Sequence, residues 1–201
     1  MIKLENIEFS YGDGKVIFSD FCLEIGHGES WTIIGASGCG KTTLLSLLAG
    51  MLYPEKGVIK VDGEKLVRAR PRTGLVLQDH GLLPWATIRK NTELGLTIRK
   101  YYGPDGVHAP HDMETDEQKL ADRIEYWLKW LGIEEHQQKY PAELSRGQRQ
   151  RAAIARTLVL EPDLLLMDEP FSALDAPIRE ELQRVMNTFH LESGLTSITV
   201  T

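Results

Sequence analysis

Long apolar runs are missing from this 201-residue chain. A helix that crosses a bilayer needs roughly 18 or more consecutive apolar residues. The richest segment, Leu44 to Tyr53, is broken by Ser46 and Gly50 and reads as a buried helix. A surplus of positive charge is missing too. Lys and Arg number 23 against 29 Asp and Glu, a net charge of −6. That balance argues against a protein that coats nucleic acid, which needs a basic face for the phosphates. Cysteine is scarce: Cys22 and Cys39 form neither a metal-ligand spacing nor a disulfide framework, which suits a reducing compartment. The start, Met1-Ile2-Lys3-Leu4-Glu5, carries an early acid and no apolar core, so no secretory signal is expected. Repeats and low-complexity tracts are absent. The expectation is an intracellular, soluble chain, in which any membrane contact would pass through a partner.

What is present is the composition of a globular domain: 42% hydrophobic and 26% charged residues, with 18 Gly and 9 Pro. A chain of this length buries ~70% of its extended surface on folding, enough for one good core. Ile2 to Phe9, Phe21 to Ile25, Trp31 to Ile34, Gly57 to Val61 and Leu75 to Leu77 read as strands. They are separated by glycine turns such as Gly12-Asp13-Gly14, Gly26-His27-Gly28 and Asp62-Gly63. Thr42 to Leu52 has helical periodicity, and from about Thr87 to Leu160 the chain turns helical, with Leu120, Ile124, Trp127, Leu128 and Leu131 on one face. Gly103 to Asp116 reads as a loop. Leu164 to Met167 is all apolar, as a buried parallel strand requires. A helix over Pro177 to Glu192 and a strand over Ser197 to Val200 follow. The class is α/β, interrupted by a helical insertion.

The first chemical signal is Gly35-Ala36-Ser37-Gly38-Cys39-Gly40-Lys41-Thr42, which matches the P-loop pattern G-x-x-x-x-G-K-[ST] between a predicted strand and a predicted helix. Binding phosphate requires backbone N–H groups aimed at one concavity, hence glycines at Gly35, Gly38 and Gly40, with Ser37 and Cys39 offering their main chain. The helix that starts near Lys41 adds its positive end. Lys41 would reach the β- and γ-phosphates, Thr42 would ligate Mg²⁺ and Thr43 would donate to the α-phosphate. The bland alternative is a glycine turn with a surface lysine. The second signal is Leu164 to Glu169, an apolar strand ending in two carboxylates. At the carboxyl end of a parallel strand, Asp168 fits the Mg²⁺ side and Glu169 fits the base that orients an attacking water. The alternative there is an acidic turn after a core strand.

Kinases, GTPases, helicases and transport ATPases all remain open at that point. Leu144-Ser145-Arg146-Gly147-Gln148 narrows the choice, because with it the whole chain resembles the ATP-binding-cassette (ABC) ATPases, whose signature is usually LSGGQ. Tyr11 lies where that family places an aromatic that stacks on adenine. Gln78 corresponds to the Q-loop glutamine, beside the reaction and the metal, and Ser172-Ala173-Leu174-Asp175 resembles the D-loop. The resemblance implies a P-loop NTPase core with a mixed, mostly parallel sheet, an N-terminal antiparallel β subdomain and an inserted α-helical subdomain. It implies one domain over 1–201, with 1–80 and 157–201 as core and 81–156 as the helical part. It also implies ATP and Mg²⁺ as cofactors and a head-to-tail dimer. In that dimer Ser145, Gly147, Gln148 and Asp175 of one subunit meet the nucleotide on the P-loop of the other.

The sequence departs from the family pattern twice. Arg146 stands where a glycine is usual: a position needing positive φ would strain it by roughly 1–2 kcal/mol, whereas at negative φ it is tolerated and adds a cation. The family pattern also continues past Thr201 into a histidine near the γ-phosphate, and none of the six histidines replaces it. Either the chain is truncated or it is a naturally short, hydrolysis-impaired subunit; both predict nucleotide binding with poor turnover.

Gln78 to Trp85, with Leu82-Leu83-Pro84-Trp85, resembles a segment of importers for nitrate, alkanesulfonates and taurine. The resemblance implies permease subunits docked near this loop, with a solute-binding protein acting indirectly; the alternative is a proline turn with a core tryptophan. Trp127 and Trp130 are expected in the core and rim of the helical part. Arg68, Arg70 and Arg72 are expected as a solvated loop, and Arg149, Arg151 and Arg156 in structural pairs. His108 and His111 lack companion metal ligands. An energising importer subunit leads, ahead of a soluble ABC ATPase working on nucleic acid and a non-hydrolysing regulator.

Overall fold

In the computed structural model, residues 1–12, 14–172 and 174–201 are described; Asp13 of the first glycine turn and Ala173 of the D-loop segment lie outside them. Among the described residues, eight strands and five α-helices make up two sheets and the helices that cover them. β1 (Ile2–Ser10), β2 (Val16–Ile25), β4 (Lys56–Val61) and the two-residue β5 (Glu64–Lys65) form an antiparallel sheet in the order β2-β1-β4-β5. β3 (Ser30–Ile33), β6 (Thr73–Val76), β7 (Leu164–Asp168) and β8 (Thr196–Val200) form a sheet in the order β3-β8-β7-β6. Every pair in that second sheet is parallel. The expected N-terminal antiparallel β subdomain is thus a sheet of its own, and the core sheet, expected to be mostly parallel, is parallel throughout among the described residues.

The reason β7 is apolar throughout is visible in the side-chain parity of a strand. Leu164 and Leu166 face one side, where Leu44, Leu45, Leu47 and Leu48 of α1 (Lys41–Leu48) fill the space up to Ile2, Leu4 and Ile7 of the antiparallel sheet. Leu165 and Met167 face the other side, toward the remaining helices. Those are α2 (Ile88–Tyr102), α3 (Glu117–Trp130), α4 (Arg146–Leu158) and α5 (Ala176–Ser193). Trp127 is buried, and both it and Trp130 pack edge-on against Phe189 of α5, so the tryptophan pair joins α3 to α5.

Local chemistry sets the element ends. Thr87, Asp116 and Ser145 cap α2, α3 and α4 with their side-chain oxygens. α1 stops at Leu48, short of the Leu52 expected, because Gly50 turns left-handed at φ 70° against the Arg68 backbone, where a Cβ would sit 2.6 Å away. The loop 103–116 is built around Asp105, whose carboxylate accepts from the N–H groups of Val107, His108 and Ala109 and pairs with the His108 ring. The arginines before β6 are not merely solvated. Arg70 makes two bonds to Asp163, at 3.0 and 2.9 Å, and Arg72 pairs with Asp112. Asp163 stands just before β7, the neighbour of β6, so the parallel pairing itself brings the two charges together.

Candidate functional site

The strand β3 delivers the chain to Gly35 at the parallel sheet's carboxyl edge, and α1 carries it away from Lys41. The glycine spacing is a steric requirement. Gly40 holds φ 101° as the residue capping α1, and a Cβ there would come within 2.5 Å of the Ile17 side chain. Gly38 is left-handed at φ 79°, and a Cβ on Gly35 would lie 2.7 Å from Cys39 Sγ. Gly40 brings no side chain to the α1 N-terminus and the first turn holds no acid, so the leading N–H groups are left for an external acceptor. Lys41 bends back over this loop: its Nζ donates to Gly35 O at 2.6 Å and to Ala36 O at 3.1 Å.

A cleft of about 460 Å³ opens in front of this turn. Tyr11, Ser37, Gly38, Gly40, Lys41, Thr42, Thr43, Gln78 and Glu169 line it. Tyr11, 44% exposed, stands edge-on to Phe9, and its hydroxyl lies 3.0 Å from Thr43 Oγ1. On the opposite side Gln78 Nε2 donates to Glu169 Oε2 at 3.0 Å. Glu169 leaves β7 with φ 44°, a left-handed step that turns its side chain out of the strand's alternation. The step is held by Glu169 N–H on Val200 O and by Ser172, whose N–H and hydroxyl both bond Glu169 O. Asp168, one residue earlier, is buried at 6% exposure. Gly35, Cys39 and Asp168 are not among the residues that line it.

Ser145, Gly147, Gln148 and Asp175 do not line this cleft. Ser145 caps α4 in a reciprocal pair: Ser145 Oγ accepts from Gln148 N–H, and Gln148 Oε1 accepts from Ser145 N–H. Arg146 opens the helix outside the left-handed region, so the residue in place of the usual glycine carries no backbone strain. Gly147 is buried against α5, with a Cβ there only 3.0 Å from Ile178 Cγ2. Asp175 caps α5 without a side-chain bond of its own, leaving its exposed carboxylate uncommitted to the helix.

Two connections tie these parts together. Arg156 of α4 donates to Gly81 O at 2.5 Å and to His80 O at 2.7 Å, joining the helix of the signature to the loop after Gln78. Asn91 of α2 accepts Leu83 N–H at 2.7 Å and donates to Leu83 O and Ala86 O, strapping the Pro84-Trp85 turn from beneath. Trp85 itself is 74% exposed, so it is no core residue. Burial lowers the pKa of His80 below the ordinary histidine value, with Arg149 and Arg146 adding to the effect against the opposing pull of Asp79.

Lys15 and Ile17 also line the cleft and were not expected there. Lys15 O accepts Tyr11 N–H at 3.2 Å, so the tight turn between β1 and β2 brings both to the mouth. The spacing of an aromatic followed by glycines, ahead of an apolar strand, was the available signal.

Comparison with known proteins follows the same lines. The family model for "ABC transporter" matches residues 18–172. The taurine import ATP-binding protein of Pseudomonas aeruginosa is 38% identical over 96% of this chain and 69% of its own length. The sulfate/thiosulfate import ATP-binding protein of Caulobacter vibrioides is 40% identical over 100% and 57%. The Fe(3+) ions import ATP-binding protein of Fusobacterium nucleatum is 38% identical over 100% and 51%. The chain thus spans about half the length of several curated relatives it matches. Among solved structures, a dimeric bacterial ABC transporter cassette superposes with a TM-score of 0.85 at 29% identity, covering 100% of this chain and 88% of that one. A dimer of such a cassette bound to ADP and Pi superposes at 0.84 with 28% identity over the same shares. With the phosphate turn, the acidic strand end and the capped signature helix all in place, the chain belongs to the ABC transporter family.

Proposed function

We propose that the chain binds and hydrolyses ATP as the energising part of an importer. A single observation carries this. The glycine-built N-terminus of α1, with Lys41, and the Gln78–Glu169 hydrogen bond face each other across one cleft. The backbone N–H groups of the turn, together with Lys41 released from its carbonyl partners, hold the phosphates. Tyr11 supplies a flat face at the mouth for the base. Glu169 accepts the proton of the attacking water while Gln78 orients the carboxylate.

The donors fit a hard divalent cation. Among the described residues no group of three His, Cys, Asp or Glu stands ready to hold a metal, so an ion there needs the phosphates as partners, as Mg²⁺ characteristically does. Thr42, the Asp168 carboxylate and the amide oxygen of Gln78 would complete its sphere. The ion would supply charge neutralisation at the phosphates.

The same proposal covers the assembly. Ser145, Gly147, Gln148 and Asp175 lie away from the cleft of their own copy, which supports a head-to-tail pair in which each completes the other's nucleotide site. The exposed Trp85 turn supports a permease subunit as the surface it meets, with a solute-binding protein beyond it and no nucleic acid. Among the described residues no helix is long and apolar enough to cross a membrane, consistent with a peripheral place on the cytoplasmic face. The division of the chain into a core of 1–80 and 157–201 and a helical part of 81–156 belongs to the proposal too. Relatives named for iron, taurine and sulfate are about equally similar. A small anionic or sulfonate-like cargo therefore rests on the Leu82 to Trp85 segment and is tested by uptake.

The decisive experiment pairs two substitutions in the complete transporter. Lys41→Ala removes the one cation of the phosphate turn and should abolish or severely weaken binding of an ATP analogue. Glu169→Gln should leave binding intact and lower turnover by about 10²–10⁴-fold, the usual contribution of a positioned general base. Full hydrolysis by the Glu169 variant would remove that residue from its role.

A further inference from the structure

The signature turn leans on a residue outside its motif. Gln148 Oε1 accepts Ser145 N–H at 2.9 Å. A backbone N–H can only donate, so this bond fixes which way the Gln148 amide points: oxygen toward Ser145, nitrogen away. That nitrogen lies 2.7 Å from His136 Nε2. Two nitrogens so close need one donor and one acceptor, and Gln148 Nε2 has only hydrogens to offer. His136 Nε2 must therefore be bare, and the neutral ring carries its proton on Nδ1. Nδ1 is buried and has no hydrogen-bond partner among the described residues. The fold thus holds His136 as the tautomer whose one ring acceptor is given to Gln148. The residue also stands on firm ground. His136 ends the short 3₁₀ turn Glu134–His136, its backbone N–H donates to Ile133 O, and Ile133 and Leu131 are fully buried.

We propose that His136 is a positioning residue for the signature turn. As the Nδ1–H tautomer it grips Gln148 and through it the Ser145 N–H, and so aims the N-terminus of α4 and the Ser145 hydroxyl. His136 touches no nucleotide itself. The functional consequence rests on the proposal above, that Ser145 and Gly147 face a phosphate held by a second copy.

Two substitutions separate positioning from packing. His136→Gln offers an oxygen where the ring nitrogen stands and can accept the same bond. His136→Phe fills the volume and can accept nothing. In the nucleotide-free chain, amide exchange at Ser145 and Gln148 followed by NMR should speed up about tenfold in the Phe variant, the scale of one lost hydrogen bond, and stay within about twofold in the Gln variant. MgATP-dependent self-association by sedimentation should weaken in the Phe variant by about the same factor and recover in the Gln variant, with the monomer's affinity for an ATP analogue unchanged. Equal loss in both variants, or none in either, overturns the proposal, as does a Phe variant that matches wild type where Gln does not. Nitrogen NMR of the wild-type imidazole needs no variant: a ring protonated at Nε2 alone overturns it as well. If exchange follows the expected pattern while even wild type never self-associates with MgATP, the positioning stands and the two-copy nucleotide site is what fails.

Discussion

At the scale of single residues, the groups that line the cleft pair with one another. Lys41 rests on carbonyls, Gln78 on Glu169 and Tyr11 on Thr43. Under the proposed function, each of these contacts is one that a nucleotide's oxygens would take over. His80 lies two residues past Gln78, and its pKa is lowered in the fold. Its neutral form is favoured by burial, whereas the unfolded chain takes up a proton near the ordinary value of about 6.5. Its contribution to stability is therefore complete above about pH 6.5 and is lost as the pH falls below that, because the unfolded state binds the proton more readily. His80→Asn should make the unfolding midpoint depend less on pH between about 7.5 and 5.5. Asn suits the left-handed φ of 69° at this position and does not titrate. Parallel pH curves for the two proteins would remove His80 as the source.

Among elements, the parallel sheet is held at its β6–β7 edge by more than backbone pairing. Arg70 makes two bonds to Asp163, with only 23% of the arginine side chain exposed. Arg70→Ala should therefore lower stability by about 1–2 kcal/mol in chemical denaturation, more than the loss of an ordinary exposed pair. Arg72→Ala, whose partner Asp112 is largely exposed, should cost less. That contrast also marks what the sequence could and could not disclose. The apolar runs of β1, β4, β7 and β8 are legible because burial imposes their period, and the phosphate turn is legible because its chemistry imposes fixed spacing. The Arg70–Asp163 pair is not: the partners are far apart in the chain and meet only through strand order. β5 has two residues and no period at all. The early stop of α1 follows from Gly50 meeting the backbone of Arg68, a contact between distant segments. In the site, Lys15, Ile17 and His136 lie outside any motif and reach their places by hairpin closure or helix packing.

For the molecule as a whole, hydrogen bonds connect the cleft to the Pro84-Trp85 turn, and under the proposed function they are the route from nucleotide to partner. Glu169 touches Gln78, the loop after Gln78 hangs on Arg156 of α4, and the Pro84-Trp85 turn is strapped by Asn91 of α2. The tryptophan this leaves exposed contributes little to folding. Trp85→Ala should change stability by no more than about 0.5 kcal/mol, as for most exposed positions, while weakening capture of the permease subunit in detergent extracts. Unchanged capture would move the docking surface elsewhere.

The alternation along β7 has a consequence for how the protein comes apart. Leu164 and Leu166 belong to one apolar cluster and Leu165 and Met167 to the other, so a single ribbon is the party wall between two compartments. Whether a residue number from 164 to 167 is even or odd decides which room a truncation empties. Leu164→Ala should loosen the amides of α1 first and Leu165→Ala those of α4, and native-state hydrogen exchange would tell the two rooms apart.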